Sequence, residues 1–367
     1  MENYDLEVCF LKEKTCNIRK TSIGGQALLE GVMMRGPVKT AMTVRNPEGE
    51  LVVEEWVNQE NKRPAFFKLP FVRGIFNFID SMRFGYKCLM RSAEIAGLDD
   101  DPKKENPSEP AETETGADEA KNEKKKDSSS GMGVIGVISV ILALILAFGL
   151  FIWLPTLLSG FLANGVSALG IDSLTEWAAS KGEGFLATGL SFFKNQFARA
   201  AVEGITRLML LVGYLSAVSL MKDIRRTYQF HGAEHKTIFC YESGLELTVE
   251  NVRKQRRFHP RCGTSFLILM VIVGILVSML IPSTIGGWTM PVYLRSLIKL
   301  ALLPVIMGVG YELIKLAGRH DNVLTRIISA PGVWLQHLTV FEPTDDMIEC
   351  AIESMKRVIP EDGSDRW

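Results

Sequence analysis

Residues 134–154 read VIGVISVILALILAFGLFIWL, and this stretch decides the class of fold. It lies inside a run from Ser128 to Ile171 that contains no Asp, Glu, Lys or Arg. A helix of about 20 apolar residues is long enough to cross the hydrocarbon core of a bilayer. The sequence therefore predicts a membrane-spanning helix here, and Pro155 is expected to end it.

Three further apolar stretches predict three further spans, at about 200–221, 264–282 and 296–317. Pro304 is expected to kink the last of them. The mean hydropathy of +0.14 averages these spans with a polar remainder, so a purely soluble protein is excluded. We predict a mainly α fold with a four-span helical membrane domain over 131–318. Residues 156–195 are weakly polar and predict short interfacial or re-entrant helices.

Basic residues cluster at one end of every predicted span, and the loops at the other ends carry few. The flanking cations are Lys124 to Lys126, Lys222, Arg225, Arg226, five residues between Arg253 and Arg261, Lys315 and Arg319. Because cytoplasmic loops are enriched in Lys and Arg, we expect a multi-pass plasma-membrane protein with both termini cytoplasmic. The cluster Arg253–Arg261 either binds anionic lipid headgroups or only anchors this topology.

The polar regions divide into four parts. Residues 1–60 predict a small N-terminal α/β cytosolic region, with a hairpin around the turn Asn46-Pro47-Glu48-Gly49. Residues 61–98 predict an amphipathic helical segment that lies in the membrane interface or packs on the neighbouring domain. Residues 99–130 have the composition of a disordered linker. Residues 319–367 predict cytosolic C-terminal helices, the last over 345–358 and capped by Thr344.

Composition also excludes some classes of function. The chain has 41 basic and 42 acidic residues, so it lacks the basic excess that is typical of nucleic-acid-binding proteins. Membrane lipids are the expected partners. Six scattered Cys, without a Cys-x-x-Cys pair, indicate a reduced, cytosol-facing setting rather than a disulfide framework. The N-terminal residues lack the basic and apolar regions of a signal peptide, so we expect no cleavable signal.

The densest group of chemically active residues is His231-Gly-Ala-Glu234-His235, in the predicted loop 222–262. Residues four apart share one face of a helix, so both imidazoles can reach one ion. His-x-x-Glu-His is also the inverted zinc-hydrolase signature, in which the Glu activates water. The alternative is a pair of ordinary loop histidines, with Glu234 paired to Arg225 or Lys236.

A second fragment, His259-Pro-Arg-Cys262, follows in the same loop. Three His and one Cys form a tetrahedral ligand set suited to zinc, so the predicted metal ligands are His231, His235, His259 and Cys262. Four ligands would make a closed structural site. Three would leave an open position, with Glu234 as the general base. A downstream carboxylate is an alternative third ligand, and the candidates are Glu242, Glu246 and Glu312.

Charged residues also recur within the second predicted span. Arg199, Glu203 and Arg207 are spaced i, i+4 and i+8, so they share one helix face. Ionisable residues within a membrane are rare and suggest function, here transport. The alternative is a structural ion-pair ladder that faces the bundle interior. His320 and His337, after the fourth span, are expected to be surface or packing residues.

Three motifs together carry a family resemblance. They are Gly24-Gly25-Gln26-Ala27 with Glu30-Gly31-Val32-Met33-Met34-Arg35-Gly36-Pro37, then His231 to Lys236, then His259 to Ser265. The chain resembles the YqhQ-like family of bacterial integral membrane proteins, over nearly its whole length except 99–130. That family is labelled a predicted metal-dependent enzyme, which implies metal chemistry at the same residues and names no substrate.

The first of these motifs gains a hypothesis from the resemblance. The segment Gly24–Pro37 covers the cytosolic site and contributes Glu30 or Arg35, or else it is a tight structural turn.

The leading functional hypothesis is a zinc-dependent membrane enzyme, a hydrolase, with a cytosol-facing site at the membrane boundary. That location suits a lipid-linked or membrane-peptide substrate. The alternatives are a non-enzymatic membrane scaffold or regulator with a structural His₃Cys zinc site, and a transporter.

Overall fold

The computed structural model describes residues 20–58, 64, 67, 69–98, 138, 141–158, 184–281, 284–285, 288–319 and 322–365. For 184–199, 284–285, 288–289, 292 and 317–319 it describes the backbone alone. The predicted linker at 99–130 and His320 therefore lie outside the described residues.

The N-terminal region is a four-stranded antiparallel sheet in sequential order. Its strands are β1 (Gly24–Leu28), β2 (Gly31–Arg35), β3 (Lys39–Arg45) and β4 (Leu51–Val57). The predicted hairpin is confirmed, because Thr43 pairs with Val53 and Arg45 with Leu51. The glycine-rich segment forms the other hairpin, β1–β2, and Glu30 adopts a φ of 54° in its turn.

Helix α1 (Val72–Ile95) confirms the predicted helical segment. It packs on the neighbouring structure, where Arg73 donates two hydrogen bonds of 2.7 and 2.6 Å to Glu312. It also keeps an exposed apolar stripe that includes Ile79, Met82 and Tyr86. One face of α1 thus serves packing, and another is left apolar on the surface.

Eight further helices are described. They are α2 (Ile141–Leu158), α3 (Gly184–Ser219), α4 (Lys222–Glu242), α5 (Val249–Arg253), α6 (Gly263–Leu280), α7 (Val292–Arg319), α8 (Val323–Thr339) and α9 (Asp345–Val358). Two short strands, β5 (Thr284–Ile285) and β6 (Trp288–Thr289), join α6 to α7.

Four of these helices are long and apolar enough to cross a membrane, as predicted. The spans are Ile141–Leu158, Ala200–Ser219, Gly263–Leu280 and Tyr293–Leu316. The fold is therefore mainly α, with a four-span membrane domain and a small N-terminal sheet. Pro304 lies inside α7.

Two boundaries differ from the prediction. Helix α2 continues through Pro155 to Leu158, because a π-helical segment at Gly149–Trp153 precedes the proline and shifts the carbonyls with which its ring would clash. Helix α3 begins at Gly184, so residues 184–195 continue the second span instead of forming a separate short helix. Residues 159–183 lie outside the described part.

The sheet, α4 and α9 share one hydrophobic core. Val32 and Met34 of β2 pack with Phe230 of α4 and with Met347 and Met355 of α9, and all five are buried. The final helix has the predicted bounds, although Thr344 makes no side-chain capping bond. The two ends of the chain therefore build one unit around α4, the helix that carries the His-x-x-Glu-His motif.

Helix α8 packs against the membrane spans. Its Leu335 is fully buried in a cluster with Leu211 and Leu215 of α3 and Ile268 of α6. The capping box of Asn322 and Thr325 fixes where it begins. Because α8 lies on α6 and α3, its last turn reaches the head of α6, where Cys262 is located.

Candidate metal centre

Helix α4 presents His231, Glu234 and His235 on one face, as the i, i+3 and i+4 spacing predicts. The two imidazole rings lie 4.4 Å apart, centroid to centroid. Glu234 and His235 are buried, at 5% and 1% exposure. The chain runs from the second span into this helix after two residues, so the motif lies close to the end of that span.

Cys262 reaches the same place from the head of α6. It is the N-cap residue of α6, and its Sγ accepts a hydrogen bond from the Thr264 N–H at 3.4 Å. The Sγ atom lies 3.1 Å from His231 Nε2. One ligand atom from each of His231, His235 and Cys262 lies within 4.8 Å of the other two.

Backbone carbonyls orient both imidazoles. His231 Nδ1 donates to the carbonyl oxygen of Thr339 at 3.0 Å, and His235 Nδ1 donates to that of Arg257 at 2.6 Å. These bonds place the proton on Nδ1 and leave the Nε2 lone pairs facing Cys262. Histidines that bind metals in proteins are commonly held in this way.

One buried ring nitrogen bears on whether the ligand set fits a metal. His235 Nε2 is buried, and it makes no hydrogen bond within the described part of the chain. A buried polar atom without a partner is costly unless a ligand satisfies it. Two imidazoles and a thiol suit zinc, for which tetrahedral bond lengths imply ligand separations of about 3.5 Å. The group is thus compatible with metal binding.

The surroundings lower the pKa values of both Cys262 and His235. Burial raises the pKa of the Cys262 thiol, but the His235 ring and the donors of Thr264 outweigh it, so the pKa is lowered overall. Burial lowers the pKa of His235, which favours the neutral imidazole. A thiolate and neutral imidazoles are the ligand forms that bind metal ions.

The structure places His259 beside this group. Its ring lies 5.5 Å from that of His235. Its Nδ1 accepts the Arg261 backbone N–H at 3.2 Å, and its Nε2 faces a Glu242 carboxylate oxygen at 3.8 Å. Arg261 Nη2 also lies 3.4 Å from the Nε2 atom, so both ring nitrogens have polar neighbours, and the role of His259 as a metal ligand stays a prediction.

Two of the three alternative carboxylate ligands, Glu242 and Glu312, have other partners. The buried Glu242 accepts the Thr21 N–H at 2.9 Å and a hydrogen bond from Arg261. Glu312 pairs with Arg73, and Glu246 does not belong to the converging group. His337 is exposed and stacks near Phe258, as expected for a surface residue.

Glu234 lines a cavity of about 170 Å³ together with His235, His259 and Cys262. The segment from Thr21 to Gly25 covers this cavity, and the Gly25 N–H donates to the Glu234 carboxylate. Burial raises the pKa of Glu234 to about 7. The Gly25 N–H therefore holds the Glu234 carboxyl group close to two of the candidate ligands, His235 and Cys262.

A larger cavity of about 440 Å³ adjoins the first, and the two share Ser22, Gly24 and Gly25. Arg35 lines the larger cavity, whereas Glu30 pairs with Arg226 of α4. Neither residue lines the smaller cavity. Part of the glycine-rich segment thus covers the site, through its backbone and not through Glu30 or Arg35.

The basic cluster before α6 makes several contacts within the protein. Arg253 pairs with Asp345, Arg256 and Arg257 stack on Phe239 and Phe258, and Arg261 pairs with Glu242. Lipid binding by this cluster stays a prediction.

The residues that hold the centre together were not predicted from the sequence. Gln336 of α8 clamps the His259 backbone, because it accepts the His259 N–H at 2.8 Å and donates to the His259 carbonyl oxygen at 2.7 Å. The carbonyls of Thr339 and Arg257 orient the imidazoles. These partners are up to 108 residues apart, and a backbone carbonyl leaves no signal in residue identity.

Comparison with known proteins gives the family. The family model described as "Protein of unknown function (DUF1385)" matches residues 69–361. The chain belongs to this family. It is also 36% identical, over 338 residues and 92% of each chain, to "Uncharacterized protein YqhQ" of Bacillus subtilis (strain 168). The resemblance to a YqhQ-like family is thereby confirmed, while the metal-enzyme label gains no support. No solved structure matches the chain.

Proposed function

We propose that this family member is a zinc-dependent membrane hydrolase whose metal is held by His231, His235 and Cys262. The observation that carries the proposal is their convergence beside a cavity that also contains Glu234. Three protein ligands leave one coordination position open, which is typical of catalytic zinc sites and not of structural ones.

Each side chain has one role in this proposal. Zinc bound there would act as a Lewis acid that polarises a carbonyl or phosphoryl oxygen of the substrate. Glu234 accepts the proton of the attacking water and passes it to the leaving group. The Gly25 N–H fixes the Glu234 carboxylate, and the carbonyls of Thr339 and Arg257 fix the imidazoles.

The position of the centre supports a membrane-associated substrate on the cytosolic side. Cys262 directly precedes the third span, and α4 directly follows the second. Two helices that pack against the membrane spans, α1 and α8, each carry an exposed apolar stripe. On α8 this stripe includes Ile327 and Trp334. A lipid-linked molecule or a membrane peptide could reach the 440 Å³ cavity from such a surface.

The first test is zinc content per chain in detergent-purified protein. The wild type should carry about one zinc, His235→Ala should lose it, and the exposed control His337→Ala should keep it. If wild-type protein prepared without chelators contains no zinc, the proposal of a zinc-dependent enzyme fails.

The second test separates a catalytic site from a structural one. The burial of His235 and Cys262 is the observation that favours a structural zinc in a scaffold or regulator. Glu234→Gln keeps the size of the side chain and removes the base. If this variant binds zinc and still rescues the phenotype of a strain that lacks the gene, the enzyme proposal fails and the scaffold role stands.

A further inference from the structure

A second group of charged side chains lies inside the four-span bundle. Glu203 of α3 is 1% exposed, and both Arg207 of α3 and Lys299 of α7 donate to its Oε1 atom. Thr156 of α2 also donates to Oε1, at 3.0 Å, and accepts from Lys299 Nζ at 3.1 Å. All the bonds to this carboxylate use one oxygen, and its Oε2 makes none among the described residues.

This group contains two cations and one carboxylate, and a further buried cation, Arg295 of α7, lies one helical turn before Lys299. Among the described residues, no other carboxylate pairs with Arg207 or Lys299. An unbalanced charge inside a membrane bundle is costly, and such charges commonly mark a ligand or ion site. Among the described residues, an additional negative charge would offset part of this cationic excess.

A cavity of about 310 Å³ adjoins the two cations, and residues of all four spans line it. Arg207 and Lys299 belong to the lining, whereas Glu203 does not. Arg207 Nε is buried and has no acceptor in the described part of the chain. The cavity therefore presents the excess cationic groups without the carboxylate that partly neutralises them.

The rest of the lining is almost entirely apolar and runs along α6 from Leu267 to Ser278. At 1.5 Å per residue this stretch of helix measures about 16 Å. Arg207 lies near its Ser278 end, because a Cβ built on Gly274 would be 3.9 Å from Arg207 Nη1. The cavity is thus an elongated apolar cleft with cations towards one end.

We propose that this intramembrane cleft binds a long-chain fatty acid in its carboxylate form. The carboxylate accepts from Arg207 Nε and Lys299 and supplies the missing negative charge. The acyl chain lies along α6 towards Leu267. A volume of 310 Å³ is at the lower end of the range for ligand cavities, which favours a single chain. The site is independent of the metal centre and of the proposed hydrolase activity.

The test is photo-crosslinking with the full chain in neutral phosphatidylcholine nanodiscs at pH 8. The probe is a 16-carbon fatty acid with a diazirine near its terminal methyl group, and the matched probe is the corresponding alcohol. Mass spectrometry should place the label of the acid on α6 near Leu267. The alcohol should label this position about tenfold less, because a hydrogen-bonded charge contact is lost.

Two variants and one control sharpen the test. Lys299→Met keeps the Glu203–Arg207 ion pair, so it should fold, and it should lower labelling by the acid about tenfold. Gly274→Leu fills the cleft and should abolish labelling. Lys222→Met removes an exposed cation of α4 and should change nothing.

Equal labelling by the acid and the alcohol in the wild type would overturn the proposal without any variant. Labelling by the acid that survives Gly274→Leu would place the probe outside the cleft and would also overturn it. Labelling that is lost in Gly274→Leu but unchanged in Lys299→Met would overturn the assignment of the carboxylate.

Discussion

Gly24 and Gly25 are neighbours in sequence, but their surroundings are opposite. A Cβ on Gly24 would have nothing within 4 Å. A Cβ on Gly25 would lie 2.7 Å from the Met33 carbonyl oxygen and 2.8 Å from Cγ of Glu234. A methyl group at Gly25 must therefore displace the Glu234 side chain or the β1 strand, because real Cβ contacts are never so short.

This difference gives a matched pair of variants. We expect Gly25→Ala to keep its zinc, because no ligand moves, but to lose most activity, since a shift of about 1 Å in a catalytic group can cost about 10²-fold. Gly24→Ala should behave as wild type. Zinc content and rescue of a strain that lacks the gene measure both effects. Full rescue by Gly25→Ala would show that the position of Glu234 is unimportant.

Gln336 is the residue on which the loop before Cys262 depends most. It is fully buried and bonds both the N–H and the carbonyl of His259. Gln336→Leu would leave the buried His259 N–H without its partner and the His259 carbonyl with the 3.4 Å bond from the Cys262 N–H, which costs about 1 to 3 kcal/mol of unfolding free energy.

The control for Gln336→Leu is Gln229→Leu, since Gln229 makes one exposed hydrogen bond to the carbonyl of Glu342. Thermal unfolding of the purified proteins should show a much lower midpoint for Gln336→Leu alone. Equal midpoints for the two variants would contradict the role given to Gln336.

Among whole elements, those that depend on local patterns were predictable from the sequence. The four spans follow from charge-free apolar runs, and the β3–β4 hairpin follows from its turn residues. The face of α4 with both histidines follows from the spacing of four. The prediction that Pro155 ends the first span was wrong, because a π-helical segment before the proline lets the helix continue.

Elements that depend on distant contacts were not predictable in the same way. The integration of α9 into the sheet core joins residues more than 300 positions apart, such as Ser354 and Val32. The surroundings of His259 depend on Glu242, Arg261 and Gln336 at once. Composition and spacing could group His259 with the other candidate ligands, but the direction of its nitrogens is set by tertiary hydrogen bonds.

The cover over the metal centre is a further feature at the scale of elements. Its first residue, Thr21, donates to Asp365 near the C-terminus at 2.7 Å, and Tyr241 donates to the same carboxylate oxygen at 3.0 Å. The C-terminal tail therefore ties down the segment that closes the cavity.

We expect Asp365→Ala to loosen this cover. Two lost hydrogen bonds, at about 1 kcal/mol each, should speed amide exchange in residues 20–28 by about tenfold or more. Asp362→Ala is the matched control, because Asp362 is exposed and bonds only Ser364 nearby. Hydrogen exchange with mass spectrometry measures both. Unchanged exchange in Asp365→Ala would mean that the Asp365 side chain is unimportant and that Arg261, Glu242 and the Ser22 N–H bond to the Asp365 carbonyl hold the cover.

For the whole molecule, the shared core restricts the topology. The sheet, α4 and α9 pack together, so the N-terminal region, the segment between the second and third spans, and the C-terminal helix must lie on one side of the membrane. With four spans, the β5–β6 turn between α6 and α7 must then lie on the opposite side. Because basic residues flank the shared core, we expect its side to be the cytosol.

Reporter fusions test this orientation at two points. Green fluorescent protein joined after Trp367 should fluoresce, and alkaline phosphatase joined there should be inactive, since it folds only outside the cytosol. Alkaline phosphatase inserted between β5 and β6 should be active. The reverse pattern at both points would place the metal centre outside the cell, where thiols are oxidised, and a Cys262 thiolate ligand would then be difficult to maintain. Activity of alkaline phosphatase at both points would mean that α7 does not cross the membrane, which would contradict the packing of α9 against α4 in one core.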